Sequence, residues 1–157
     1  MSDPSVVHST FVIERHYPVP PARVFAALSD PAQVRRWYAG AGGRTAGTFE
    51  MDFQLLGRQR MAAPMGEDTP FPGVILASDA TFLDIDPGRR MIVGQTMTLG
   101  ERRLSLALIT YDLLTAEGGC DLVFTHQAAF FEGADGPKMR EDGWRVLLGS
   151  LGAELAR

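Results

Sequence analysis

Apolar and polar residues alternate with a period of two through most of the chain, and with a period near 3.6 only close to the start and at the end. These changes of period locate the elements. Residues 9–17 (STFVIERHY) are rich in β-branched and aromatic side chains and stop at Pro18, which predicts a first strand. Pro20 and Pro21 then open a short helix with Val24, Phe25 and Leu28 on one face. Asp30 is an N-cap for a second helix, with Pro31 at its first position, Gln33 placed to complete a capping box, and Val34 and Trp37 on the buried side. Gly40, Gly42 and Gly43 end it. From Arg44 the period is two again, with Phe49, Met51 and Phe53 on one face and Thr48, Glu50 and Asp52 on the other. Further strands are predicted at 59–63, 74–85, 91–99, 103–115 and 120–130. The short links between them, such as Leu56-Gly57, Asp86-Pro87-Gly88 and Glu117-Gly118-Gly119, allow only antiparallel reversals, hence a meander. One longer segment, 62–73, carries Pro64, Pro70 and Pro72 and is the candidate for a mobile lid.

After Gly136-Pro137 the helical period returns. Trp144, Leu147, Leu148, Leu151 and Leu155 form one apolar stripe with Arg145, Ser150 and Glu154 opposite, which predicts a helix from about Met139 to Ala156. Each fully buried leucine contributes roughly 1.5 to 3 kcal/mol, so the stripe is expected against the largest apolar surface available, the sheet. The expected architecture is α+β: a curved antiparallel sheet wrapped around a long C-terminal helix, with two short helices between the first two strands.

Composition narrows the function classes. With 157 residues and 45% hydrophobic side chains, one domain spanning residues 1–157 is expected, large enough for a core and a cavity without crosslinks. The single cysteine, Cys120, excludes an intrachain disulfide and multi-cysteine zinc, and suits a cytoplasmic location. A formal charge of -4 argues against a sequence-independent hold on nucleic acid. The start, Met1-Ser2-Asp3-Pro4, lacks the basic and apolar regions of a signal peptide, and no apolar run reaches the roughly 18 residues that membrane insertion needs. No nucleophile elbow, zinc-binding helix or phosphate loop is present, and no cofactor or metal is expected. The glycines from Gly40 to Gly47 follow a helix rather than a strand, as a helix stop and turn do.

Strand parity supplies the candidate chemistry. His126 shares a face with Leu122, Phe124, Ala128 and Phe130, Gln95 with Met91, Val93 and Met97, and Thr110 with Leu104, Leu106 and Leu108. Three polar groups are thereby expected to face a space otherwise walled by methionine, leucine and phenylalanine, unless they satisfy one another or a bulge reverses the parity.

The segments VPPARVFAALSDPAQVRRWY, FEMDFQLLGR, ATFLDIDPGRRMIV, ITYDL, FTHQAAFFEG and GWRVLLGSL together resemble the SRPBCC or START/birch-pollen-allergen superfamily. Within it they resemble the branch named for the activator of the heat-shock-protein-ninety ATPase. The resemblance implies a helix-grip fold with a cavity between the long helix and the sheet. It departs from the branch at Gln54, where arginine is common, at Leu56, which replaces the first glycine of a Gly-Gly turn, and at His126, where glutamate is frequent.

Three functions follow as expectations. The first is a binder of a small apolar or aromatic molecule, polyketide-like or lipid-like, lined by Trp37, Phe49, Met51, Phe53, Gln95, Met97, Thr110, Phe124, His126 and Trp144. The second is a cyclase, dehydratase or hydrolase using the same cavity, with His126 as the candidate catalytic acid or base. The third is a chaperone-accessory or other interaction module. Gly149 and Gly152 beside the apolar stripe, and open strand edges, make a homodimer the expected assembly.

Overall fold

A computed structural model describes residues 4–41 and 47–157. Strand β1 (Val6–Tyr17) is followed by helices α1 (Pro21–Ser29) and α2 (Pro31–Val34), the latter running on as a π-turn over Arg35–Ala39. Strands β2 (Thr48–Met51), β3 (Arg58–Pro64), β4 (Ile75–Asp86), β5 (Arg90–Leu99), β6 (Arg102–Ala116) and β7 (Gly119–Phe131) come next, and helix α3 (Pro137–Leu155) closes the chain. The sheet has seven strands in the order β1-β7-β6-β5-β4-β3-β2, every pair antiparallel. It is the predicted meander with β1 added beside β7, and α3 lies on its inner face: the helix-grip arrangement. Gly42, Gly43 and the predicted strand start at Arg44 lie outside the described residues.

Local chemistry explains the helix starts. Pro21 and Pro31 occupy first turns, where a missing N–H leaves nothing unpaired. The Ala32 amide donates to Asp30 Oδ1 at 3.3 Å, and Gln33 Nε2 donates to Asp30 Oδ2 at 3.0 Å, so the expected reciprocal cap closes on the carboxylate rather than on the Asp30 amide. The π-turn matters more. Trp37 and Tyr38, three and four residues after the buried Val34, both turn into the core from it.

Helix α3 buries Trp144, Leu148, Leu151 and Leu155, and it also buries two charged residues, Arg140 and Glu154. Glu154 was expected on the polar face. Instead its carboxylate accepts two hydrogen bonds from Arg36, at 2.7 and 3.0 Å, and its backbone carbonyl accepts from Arg23. The three helices are thereby joined, and the Arg36 guanidinium holds the Glu154 carboxyl below its ordinary range. Arg36→Met is expected to lower the urea midpoint at neutral pH, since it strands a buried carboxylate. The deficit should shrink as the pH falls, starting where the variant's lone buried carboxylate takes up a proton, at or above the ordinary carboxyl range, and closing once the wild-type carboxyl is protonated in its lowered range. An equal deficit at every pH would remove the ion pair from the account.

The other tie is Tyr17, whose buried hydroxyl donates to the Leu148 carbonyl at 2.8 Å. A Cβ on Gly152 would sit 3.4 Å from the Tyr17 ring, an ordinary contact, so this position faces β1 of its own chain without requiring a glycine.

The segment after β3, the candidate lid, is tied at its base by backbone bonds from Met65 to Val74 and from Gly73 to Met65, at 2.8 and 2.9 Å. At the tip of the β2–β3 connection, Leu56 adopts φ 64°, a conformation that suits glycine. Leu56 is 68% exposed, so Leu56→Gly forfeits little burial. It is expected to raise stability by roughly 0.5 to 1 kcal/mol in thermal or urea unfolding, the strain relief exceeding the added freedom of the unfolded chain.

Candidate functional site

The inner face of the sheet is built by alternate residues of neighbouring strands in register: Phe11 beside His126, His126 beside Ile109, Ile109 beside Val93, and Val93 beside Phe82. Trp144 of α3 lies over this surface, its ring centroid 4.6 Å from Phe124, 5.9 Å from Tyr38 and 6.4 Å from Tyr111. Toward β3–β5 the grip is not filled. A recess of about 370 Å3 opens between α3 and those strands. Its walls include Tyr38 from the π-turn, Met61 of β3, Leu76 of β4, Gln95 and Met97 of β5, and Met139, Arg140, Gly143, Trp144 and Leu147 of α3.

The polar part of this wall is specific. Gln95 is 6% exposed, and its Nε2 donates to the Tyr38 hydroxyl at 3.0 Å. That hydroxyl shares a 3.2 Å hydrogen bond with Ser78 of β4. Oε1 of Gln95 has no hydrogen-bond partner among the described residues. Arg140, also buried, donates from Nε and Nη2 to the two Asp135 carboxylate oxygens at 2.8 and 2.7 Å and from Nη1 to the Ser105 hydroxyl at 2.9 Å. Its guanidinium stacks 5.1 Å from the centroid of Phe130.

The structure sorts the expected site residues. Gln95, Met97 and Trp144 meet around the recess. Phe124 lies beneath them, fully buried between Trp144 and Tyr111. His126 is also fully buried, stacked on Phe11 at 4.6 Å with the rings 9° from parallel, and neither ring nitrogen has a partner among the described residues. Burial in apolar surroundings, reinforced by the Arg140 charge, pushes its pKa down to about 4, so the ring is neutral at neutral pH. It does not line the recess. Phe53 packs edge-on against Phe25 and Phe82 at 5.9 and 5.0 Å, and Phe49 lies under the Arg35 guanidinium at 5.9 Å. Both rings, with Met51, are half-buried against the core. Trp37 donates from Nε1 to the Ala27 carbonyl at 2.8 Å and borders a different recess near the C-terminal end of α3, with Arg36, Ser150, Glu154 and Arg157.

Thr110 is the outright correction. Between β5 and β6 the register steps from Met97 opposite Ser105 to Thr98 opposite Arg103, leaving Leu104 as an extra residue. Beyond this bulge the parity of β6 is reversed. Ser105, Ala107, Ile109 and Tyr111 point inward, while Leu106 and Leu108 are exposed on the convex face that Thr110 shares. Conversely, Tyr38, Arg140 and Asp135 belong to the recess and were missed. Arg140 had a signal, since it precedes Trp144 by four residues and so stands in phase with the apolar stripe. Tyr38 had one too, since it follows Val34 by four residues and adjoins Trp37 on the buried side.

Among the described residues no cluster of three metal-ligating side chains occurs, and no helix is long and apolar enough to cross a membrane. Solved structures share the fold. A protein of Rhizobium loti is 41% identical with a TM-score of 0.85, covering 96% of this chain and 99% of that one. An uncharacterized protein of Rhizobium leguminosarum is 37% identical with a TM-score of 0.91, covering 98% and 97%. The AHSA1 protein of Silicibacter pomeroyi, 20% identical with a TM-score of 0.69 over 94% of this chain and 98% of its own, shares the fold. No curated protein matches the chain. Residues 18–156 match the family described as Activator of Hsp90 ATPase homolog 1-like protein, and with a seven-stranded sheet closed over a C-terminal helix the chain belongs to that family.

Proposed function

We propose that the chain binds a small, largely apolar or aromatic molecule in the recess between α3 and β3–β5. The observation that carries this reading is the recess itself: about 370 Å3, walled by Met61, Met97, Leu76 and Trp144, with a buried amide set among them. Pockets of this size, mainly apolar with a few fixed polar groups, suit drug-sized ligands. Methionine walls adjust to varied shapes, and the Trp144 face offers broad aromatic contact.

The alternative as a cyclase, dehydratase or hydrolase draws no support from His126. A general acid or base has to come within about 3 Å of the proton it moves and to titrate near the working pH. This ring is sealed beneath Trp144 and Phe11, away from the recess wall, with a pKa depressed to about 4.

The test uses the two indole N–H groups as reporters and 2-naphthol as probe. Saturable NMR shifts of the Trp144 indole are expected, with the Trp37 indole, bonded to Ala27, little changed. Gly143→Leu provides the control. An added Cβ there meets open space and the residue borders the recess, so the variant should fold, fill the space and abolish the response. A Trp144 signal indifferent to the probe, or a response surviving in Gly143→Leu, would count against this site.

A further inference from the structure

The convex face of the sheet, on the side away from α3, carries a block of side chains without charge. In register across five strands lie Thr10 of β1, Gln127 of β7, Leu108 of β6, Gly94 of β5 and Thr81 of β4. The rows on either side, from Val12 to Ile92 and from Ala129 to Thr96, are likewise uncharged. Within the block Val12, Leu106 and Leu108 are 49, 45 and 40% exposed. Charged residues make up 22% of the chain, so their exclusion from this face is a local property. Exposed aliphatic side chains on a surface stripped of charge have the composition of an interface core.

Charge returns at the two ends of the block with opposite signs. Toward the β6–β7 turn, Glu14 and Asp112 flank Val123, and neither forms an ion pair among the described residues. Arg90, beside Asp112, is committed to Asp84 at 2.7 Å. At the other end Arg103, opposite Thr98, lies 5.9 Å from the centroid of the Phe131 ring and has no carboxylate partner among the described residues. Leu108 stands midway along β6 between Arg103 and Asp112. A two-fold axis crossing the strands at Leu108 therefore lays this face antiparallel on its own copy, with Leu108 against Leu108 at the centre and Arg103 of each protomer against Asp112 of the other. An axis along the strands would set acid against acid. With about 3.3 Å per residue along β6 and about 4.8 Å between strands, the footprint is roughly 600 Å2 per protomer, at the lower bound for a specific interface.

We infer that the convex face is the interface of a homodimer in which two copies pack face to face with their strands antiparallel. The recess lies on the opposite side of the sheet and stays open in both copies, so this assembly is independent of ligand binding.

Sedimentation equilibrium of the intact chain tests it. The wild type is expected to be dimeric at about 100 µM and to dissociate on dilution. Leu108→Glu places two carboxylates together on the axis, while Arg103→Glu and Asp112→Arg each bring like charges together. All three positions are exposed, so the urea midpoint of the monomer should hold while the dissociation constant rises at least about tenfold. The double variant Arg103→Glu/Asp112→Arg exchanges the charges and should recover most of the lost affinity. A wild type that stays monomeric at that concentration, a dimer indifferent to Leu108→Glu, or a double variant no tighter than the single ones overturns the interface.

Discussion

Trp144→Ala is expected to destabilise the protein by about 3 to 5 kcal/mol, as a buried large-to-small change that leaves a cavity. Trp144 is 4% exposed, and its ring meets Phe124, Tyr38 and Tyr111 at centroid distances of 4.6 to 6.4 Å, so one side chain joins α3, the π-turn and strands β6 and β7. The recess beside it does not soften the loss. Truncation enlarges an existing opening and exposes the faces of Phe124 and Tyr38 rather than letting the core collapse inward. The measurement is the urea midpoint at unchanged slope. A loss below about 1 kcal/mol would mean that α3 does not grip the sheet through this residue.

Acidification should produce the second large effect, through His126. In the unfolded chain the imidazole takes up a proton near pH 6.5, whereas in the folded protein burial and the nearby Arg140 charge delay this to about pH 4. Between those values the unfolded state binds more protons, so folding stability rises with pH across the window. His126 makes no such demand above about pH 6.5. As the pH falls toward 4, stability is lost progressively, to a total of about 3 kcal/mol at 1.36 kcal/mol per unit. His126→Phe keeps an aromatic ring stacked on Phe11 and removes the titration, so its stability should be nearly flat across that window. A wild-type profile already flat from pH 7 to 4, or a slope unchanged in the variant, would show that the buried ring is not the proton-linked group. Loss of the Arg36–Glu154 pair is separable, because it belongs to the lower range in which that carboxyl is neutralised.

Part of the recess wall, Gln95, Met97 and Trp144, could be read before any folding. Alternation through β5 and β7 placed Gln95 and Met97 on one inner face and Phe124 and His126 on another, and helical spacing placed Trp144 on the buried stripe. These positions lie in long, regular stretches where a slip of one residue would turn a whole apolar set to water, so the pattern and the structure agree. The reading failed where regularity is interrupted. In β6 the extra residue at Leu104 reversed the parity and carried Thr110 to the convex side. A bulge leaves the local composition almost unchanged, so it is not visible in a pattern of apolar and polar letters.

The order of elements, the antiparallel meander and the stripe by which the last helix meets the sheet are written in the chain. Those follow from periodicity, from proline and glycine at the turns and from links too short for a crossover, all of which are local. Which polar groups find partners depends instead on the assembled fold. Arg140 is paired with Asp135 and hydrogen-bonded to Ser105, Glu154 is buried under Arg36, and the ring nitrogens of His126 and one oxygen of Gln95 are buried with no partner among the described residues. Hydrogen bonds and ion pairs of this kind join residues distant in the chain and depend on distances of a few ångströms. They are settled by how the helix, the π-turn and the strands come together, and not by the residues taken in order.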